Sequence, residues 1–470
     1  MNKTIINDAD IAIIGSGPGG YVAALYAAQN GAKVCLIEKS HVGGTCLNVG
    51  CIPTKSLVAS SSIVNKCANS TQYGIDISGS VVPNWTSILE RANKVSSTIR
   101  KGVEGLINNR SIELVQGEAT IIDRNTISVN DKSIVTAKHI IIATGSVPAM
   151  PNQLSIDHEK ILISDDILTL KSLPKSIAII GEGVIACEFA FIFNSLGVEV
   201  TVIGMESRPL PTLDLDISKV VVREMKKKKI KFLGSTFVQG IKKQPDDVCI
   251  IGDDDTALLN AERALVCIGR TPNTSNLGIE NLGIKLNERN GILVNEYCQT
   301  NIPNIYAIGD VNANCMLAHS ASKQGKVTIN HISKKPDNEP MDYESIPWCI
   351  FTEPEIGVVG KTEDQARQAG FNIKVGKFDI RGIGKAQVLG QLSGLVKVVI
   401  DADTDTVLGV HIIGCNATEL IQHATLVVYK KMKANDLMEQ VFSHPTISES
   451  IQEAFDDAYD QAIHKLLKTG

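Results

Sequence analysis

A doubly wound α/β unit carried twice, followed by a separate α+β domain, is the fold this 470-residue chain predicts. Three observations predict it. An apolar stretch, Ile11-Ala12-Ile13-Ile14, runs into Gly15-Ser16-Gly17-Pro18-Gly19-Gly20 and then into an alanine-rich helical segment. The same succession returns later as 177–180 followed by Gly181-Glu182-Gly183-Val184-Ile185-Ala186. From Ile346 onward the character changes to alternating strands such as 395–400 and 407–413, with a helical pattern over 419–431.

Each element has a local reason. The 11–14 run is short and wholly apolar, as for a strand buried in a parallel sheet. The helix over 21–30 is stopped by Gly31, and a second strand over 33–37 ends at Glu38, 18 residues beyond Gly20. Glycines at 15, 17 and 20 let backbone approach a pyrophosphate at the helix N-terminus, and the acid accepts bonds from a ribose hydroxyl. Glycines alone are a weak signal. Strand, glycines, helix, strand and acid in register are a strong one for a dinucleotide site.

In the second unit Ala186 stands for the third glycine, a position that mainly serves helix–strand packing. The helix spans 184–195 and the next strand 198–203, so the ribose acid is expected at 204, where the chain has Gly204. Met205 follows, with Glu206 as a substitute ligand and Arg208 farther on. Strand 140–142 with the turn Thr144-Gly145-Ser146 is echoed by strand 264–268 and Gly269-Arg270-Thr271-Pro272-Asn273. Pro148 and Pro151 mark a boundary between the units. Strand 305–308 should return to the first unit and set Gly309-Asp310 at its C-terminal end, where ligands bind in such sheets. Residues 60–110 read as polar helix with Trp85 as a packing aromatic, and 111–133 as a hairpin meander. The run Lys226–Lys229 reads as the end of a solvated helix over 218–229.

Composition narrows the function. Hydrophobic residues make up 43% and charged residues 21%, typical of a soluble globular protein, and the net charge of -5 implies no nucleic-acid or anionic-membrane partner. No apolar run would span a bilayer, residues 1–10 do not resemble a signal or transit peptide, and no Cys/His spacing suits a metal. Most of the eleven cysteines lie singly in apolar stretches, as in a protein of a reducing, cytoplasmic compartment.

Two of them differ. Cys46 and Cys51 lie in Gly43-Gly44-Thr45-Cys46-Leu47-Asn48-Val49-Gly50-Cys51-Ile52-Pro53-Thr54-Lys55. A disulfide between them would close a very short ring, a tight geometry that favours reduction and a working rather than a structural bond. Spacing alone leaves two free intracellular cysteines as the better reading. The stretch begins five residues after Glu38, beside the first dinucleotide site. A nucleotide with a redox ring next to a disulfide points to a flavin.

Residues 43–55 resemble the active-site signature of the pyridine nucleotide-disulfide oxidoreductases, the family of the dihydrolipoyl dehydrogenases and glutathione reductases. The resemblance covers nearly the whole chain, with motifs in family order. It implies FAD in the first site, with Gly15, Gly17, Gly20, Glu38, Lys55, Thr144, Gly145, Gly309, Asp310 and Ala318 around it. It implies NAD in the second, with Gly181, Gly183, Glu188, Gly269 and Arg270. NAD(H) is expected over NADP(H), with weaker discrimination than usual because of Gly204. Cys46 would exchange with substrate, Cys51 would face the flavin, and Lys55 would pair with Glu188 beside the ring.

The segment Met316-Leu317-Ala318-His319 and the pattern His444-Pro445-Thr446-Ile447-Ser448-Glu449 resemble the dihydrolipoyl dehydrogenase version. His444 would be general base and Glu449 its orienting partner, acting on the disulfide of a second subunit of a homodimer. His319 receives no catalytic role, and Phe442 stands where relatives often have a second histidine. The domains expected are 1–149 and 274–345 for FAD, 150–273 for NAD and 346–470 for dimerisation. The activity implied is oxidation of dihydrolipoamide, free or on a lipoyl domain, with reduction of NAD, in a 2-oxo acid dehydrogenase complex or the glycine cleavage system. The alternatives are an NADPH-dependent reductase of glutathione type and a non-catalytic FAD-binding subunit.

Overall fold

β-Branched runs build the sheets. In the computed structural model, which describes residues 4–466, the first sheet has seven strands. Its central strands are Thr4–Ile14, Val34–Glu38 and Ser133–Ile142, with Glu113–Gln116 beside Val34–Glu38 and Ile305–Ala307 beside Ser133–Ile142, all paired parallel. The register aligns Ile14 with Ile37 and Ile142, and Ile142 with Ala307. Gly15, Glu38, Ala143 and Ile308 therefore leave the sheet at one edge. Ala119–Asp123 and Thr126–Val129 add antiparallel strands on the other side.

The helix Pro18–Gln29 is buried through Gly19, Gly20, Ala23, Ala24 and Ala27, residues small enough for close approach to its neighbours. A Cβ added to Gly325, in the helix Ala318–Ile332, would lie 3.1 Å from that of Ala23. The second sheet is parallel throughout, in the order Lys231–Leu233, Glu199–Ile203, Ser176–Ile180, Arg263–Val266, Ile161–Ile163. It repeats the first in its details. Gly15 and Gly181 both have positive φ, 99° and 118°. A Cβ on Gly15 would stand 2.4 Å from the Ala143 carbonyl oxygen, and one on Gly181 2.3 Å from that of Cys267. Each loop is wedged against the strand that closes its unit, so only glycine fits.

The third sheet is antiparallel, in the order Trp348–Ile350, Glu355–Gly360, Val407–Gly414, Leu395–Asp401, Ile373–Asp379, and the helices Ala417–Tyr429 and Glu449–Asp457 pack on it.

Three expectations are corrected. Residues 60–110 are not one helical stretch: helix Cys51–Ala68 ends, residues 74–84 form no helix, and Trp85–Asn109 starts afresh with Asn84 capping Ser87. Trp85 itself is buried and packs near Phe193. The first strand of 111–133 joins the parallel sheet rather than a meander. The helix before Lys228 spans Leu215–Lys227 and buries Ile217, Val221 and Met225, so only one face meets solvent.

Candidate active site

One cavity of about 1570 Å³ runs past both glycine loops and the cysteine stretch. It is larger than the 300–1,000 Å³ usual for a drug-sized ligand, as two dinucleotides would require. Residues 15, 17, 38, 46, 51, 55, 144, 145, 181, 183, 188, 269, 270, 309, 310 and 318 line it.

The cysteine stretch leans on the first loop. Gly43 N donates to the Ser16 carbonyl at 2.9 Å, and a Cβ on Gly44 would lie 2.8 Å from Gly17 Cα. Asn48 holds it from within, donating to the Val42 and Gly44 carbonyls while accepting from Arg100 Nη1 at 2.9 Å. Cys46 lies in the short helix Gly44–Asn48, and Cys51 opens the helix Cys51–Ala68.

Both cysteines are free thiols here, hydrogen-bonded to each other. The Cys46 hydrogen bond brings Cys51 down to about 7; burial opposes this and the Lys55 charge assists it. Cys46 is pushed up by the same contact and by burial. The pair thus has one sulfur poised to be a thiolate at neutral pH, at a helix N-terminus that favours negative charge.

Lys55 Nζ lies 2.9 and 2.8 Å from the two Glu188 oxygens and 4.6 Å from the Phe351 ring centroid. Glu188 is buried, and its Oε1 also accepts from Phe351 N at 2.9 Å. A buried carboxylate is tolerated only when bonded so fully. The network ties helices of the first and second units to the third sheet.

The first glycine loop suits FAD. Gly17 has open space where a Cβ would be, on the cavity wall, and Pro18 starts its helix there. Glu38 accepts from Ser16 N and Ser16 Oγ on one oxygen and from Ser40 N on the other. Asp310 accepts from Ser146 Oγ at 2.5 Å, and Arg270 Nε and Nη2 hold Ser146 at 2.7 Å each. Arg270 is therefore largely spent on that turn. Thr144 Oγ1 donates to the Asn273 carbonyl at 2.7 Å, so the two echoing turns grip each other. Ala318 begins a helix whose N-terminus lines the cavity.

The second loop differs. Gly183, like Gly17, would point a Cβ into open space. Gly204 is crowded by Glu182, and the Glu206 side chain is exposed. Arg208 turns into its own loop, donating to the Pro211 and Leu213 carbonyls and Ser218 Oγ.

His444 Nδ1 lies 2.9 Å from Glu449 Oε1, and Glu449 Oε2 accepts from Thr446 N at 2.8 Å. Burial would raise Glu449, but the Thr446 amide and His444 hold it below its usual value. His444 is well exposed and is not among the residues lining the cavity. His319 bonds the Pro347 carbonyl at 2.7 Å. Gln324, buried, accepts from Gly309 N and Asn312 Nδ2 and so fixes the loop before Asp310.

The family model described as pyridine nucleotide-disulphide oxidoreductase matches residues 9–325, and that of the family's dimerisation domain matches 346–455. The chain belongs to the pyridine nucleotide-disulphide oxidoreductases. It is a flavoprotein fold that uses FAD and a nicotinamide dinucleotide. Among its relatives, the dihydrolipoyl dehydrogenase of Bacillus subtilis is 40% identical, over 97% of this chain and 99% of the relative. The mitochondrial dihydrolipoyl dehydrogenase of Pisum sativum is 38% identical over 97% and 93%. Of solved structures, LpdA from Mycobacterium tuberculosis superposes with a TM-score of 0.89 at 25% identity, covering 96% and 99%. The HOCl-induced flavoprotein disulfide reductase RclA from Escherichia coli, as its Cu(II) complex, gives 0.87 at 27% over 96% and 99%.

Sequence reasoning did not single out Asn48, Arg100, Ser16, Phe351 or Glu182. Only Ser16 and Glu182 carried a signal, as the variable residues inside the two glycine loops.

Proposed function

We propose that this chain is a dihydrolipoyl dehydrogenase, oxidising dihydrolipoamide to lipoamide with reduction of NAD. The observation that carries the reading is the conjunction of a reactive cysteine pair on the wall of one cavity with an intact His444–Glu449 pair in a dimerisation domain. Identity to named dihydrolipoyl dehydrogenases along nearly the whole chain supports the substrate.

In the oxidised state a Cys46–Cys51 disulfide receives the substrate. His444, from the second subunit of a homodimer, takes the proton of a dihydrolipoamide thiol, and Glu449 steadies the resulting imidazolium. The substrate thiolate attacks Cys46 Sγ, a mixed disulfide forms, and Cys51 leaves as a thiolate. The second substrate thiol displaces Cys46 and releases lipoamide. Lys55 stabilises the Cys51 thiolate, Glu188 and Phe351 hold Lys55 in place, and Asp310 and Glu38 orient the cofactor. FAD, held by the Gly15–Gly20 loop, Glu38 and Asp310, would supply the two-electron chemistry that links oxidation of the thiols to reduction of NAD. The cysteines other than Cys46 and Cys51 are scattered singly along the chain, a usage that supports a reducing, cytoplasmic setting. A lipoyl domain of a 2-oxo acid dehydrogenase complex or of the glycine cleavage system is the natural macromolecular partner.

Two assays decide the reading: NAD reduction by dihydrolipoamide, and NADPH oxidation by glutathione disulfide. The first is expected to run and C46S to abolish it with FAD retained. Turnover in the second assay alone would favour the glutathione-type reductase, and none in either a structural subunit. The shared-subunit site has its own test. Co-expressed C46S and H444Q, each inactive, should regain about a quarter of the wild-type rate, because random pairing makes half the dimers mixed with one complete site. No recovery would place His444 and Cys46 in the same subunit, and an H444Q protein active by itself would remove His444 from the reaction.

A further inference from the structure

Resting on the reading of the second glycine loop as the NAD site, the geometry points to Glu182 as the residue that selects NAD(H) over NADP(H), in place of the strand-end acid this chain lacks. The two units show how. Ile14 pairs with Ile37 and Ile180 with Ile203, so Ser16 corresponds to Glu182 and Glu38 to Gly204. In the first unit the small residue is in the loop and the acid at the strand end, joined by Ser16 N and Oγ at 2.9 and 2.7 Å from Glu38 Oε2. In the second unit the two have changed places. A Cβ added to Gly204 would lie 2.7 Å from Glu182 Cβ and 2.7 Å from its Oε2. The Glu182 carboxylate thus occupies the volume that a strand-end side chain would fill, and Gly204 leaves it room.

The carboxylate is held there. The Glu182 carbonyl accepts from Leu210 N at 2.8 Å. Burial, aided by the Glu206 charge, raises the Glu182 carboxyl above its usual value, and the backbone N–H groups of Glu206 and Met205 that face its side chain oppose this by favouring the charged form. Glu182 lines the cavity beside Gly183 and Met205. An acid at this end of the strand accepts bonds from the adenosine ribose hydroxyls. The same charge repels a 2′-phosphate. Arg208 is committed to Pro211, Leu213 and Ser218, and the neighbouring Glu206 is acidic. Glu206, exposed and outside the cavity lining, is a bystander on this reading, and the role expected of it passes to Glu182. Discrimination should accordingly be strong rather than weakened.

The test measures NAD and NADP binding to the oxidised holoenzyme by calorimetry, together with kcat/KM for each dinucleotide. Wild type should favour NAD at least a hundredfold. E182Q should lower that ratio at least tenfold in both measurements, and E206Q should leave it within twofold. A smaller change in E182Q, or an equal one in E206Q, overturns the assignment. If E182Q does not retain FAD, the exchange variant E182S/G204E carries the test: a preference within threefold of wild type is expected, and its loss overturns the proposal. A wild type that binds neither dinucleotide would instead sink the reading of the loop as an NAD site.

Discussion

Two lysines, Lys55 and Lys397, are each held by carboxylates from distant parts of the chain, and they serve different ends. Lys397 is 2% exposed and touches Asp214, Asp216 and Glu363 at 2.8, 2.9 and 2.8 Å. Lys377 adds a second cation, 2.7 Å from Asp216. Asp214 also caps the helix Leu215–Lys227, so this cluster bolts the second unit to the third sheet. His411 packs nearby, and burial lowers its pKa. Lys55 has a single carboxylate and an aromatic ring, and 30% of its side chain remains exposed. The three carboxylates around Lys397 are shared with Lys377, Lys219 and Arg367, so its charge is taken up within a closed network and has no field to spare. Lys55, with a single partner at the edge of a cavity, still acts on Cys51. The bolt is enclosed by charged partners, whereas Lys55 keeps one side open to the cavity.

The largest effect expected is from breaking the bolt. K397M leaves Asp214 buried and uncompensated, and removing one partner of a buried pair typically costs about 3–5 kcal/mol. Calorimetric unfolding should show the loss, with the cysteine chemistry of the surviving folded enzyme unchanged. The converse change, K55M, should raise the Cys51 pKa from about 7 by roughly one unit or more, as loss of an adjacent opposite charge does. The pH dependence of iodoacetamide alkylation of the reduced enzyme reads this directly, and an unshifted profile would remove Lys55 from thiolate stabilisation.

Acid should sharpen the contrast further. Burial pushes Asp214 and Asp216 up, but Lys397 and the Asp216 amide outweigh it at Asp214, as Lys377 and Lys397 do at Asp216, and both stay below the ordinary carboxylate value. Lys397 lowers Glu363 as well. Carboxylates depressed in the folded state contribute stability that is full above their unfolded pKa, about 4, and is lost as pH falls through the folded values. The deficit of K397M relative to wild type should therefore be widest near neutrality and narrow below about pH 4. A constant gap would mean that the carboxylates are not coupled to Lys397. The smallest effect is expected at the ring: F351L removes a cation–π contact to Lys55 and should cost about 1 kcal/mol or less. A larger loss would show the ring to be a main support of Lys55.

Legibility in the sequence followed the range of the interaction. The 11–14, 177–180 and 305–308 strands announce themselves because β-branched runs next to glycine turns are local signals. The pairing of Glu113–Gln116 with Val34–Glu38 is not local, since the helices between them decide it. Lys397 sits in Leu395–Asp401 where a lysine among alternating apolar residues reads as a solvent-facing position. Two of the three carboxylates that bury it, Asp214 and Asp216, come from about 180 residues away. The His444–Glu449 pair is written within five residues and could be read; Arg100 on Asn48 is not. Glu182 stood in plain view, but in a motif position that tolerates any residue. Only its distance to Gly204 gives it meaning.

The two echoing turns that grip each other extend into a two-stranded ribbon. Ser146–Pro148 and Arg270–Pro272 run antiparallel, and Ala149 N reaches the Gly269 carbonyl at 3.0 Å. Everything from 150 to 268 thus enters and leaves its host through a single doorway one hydrogen bond wide. The two ends of this cassette already touch, so its path closes without stretching the sheet it departs from, and a replacement cassette would have to bring its own partners for Lys55 and Lys397.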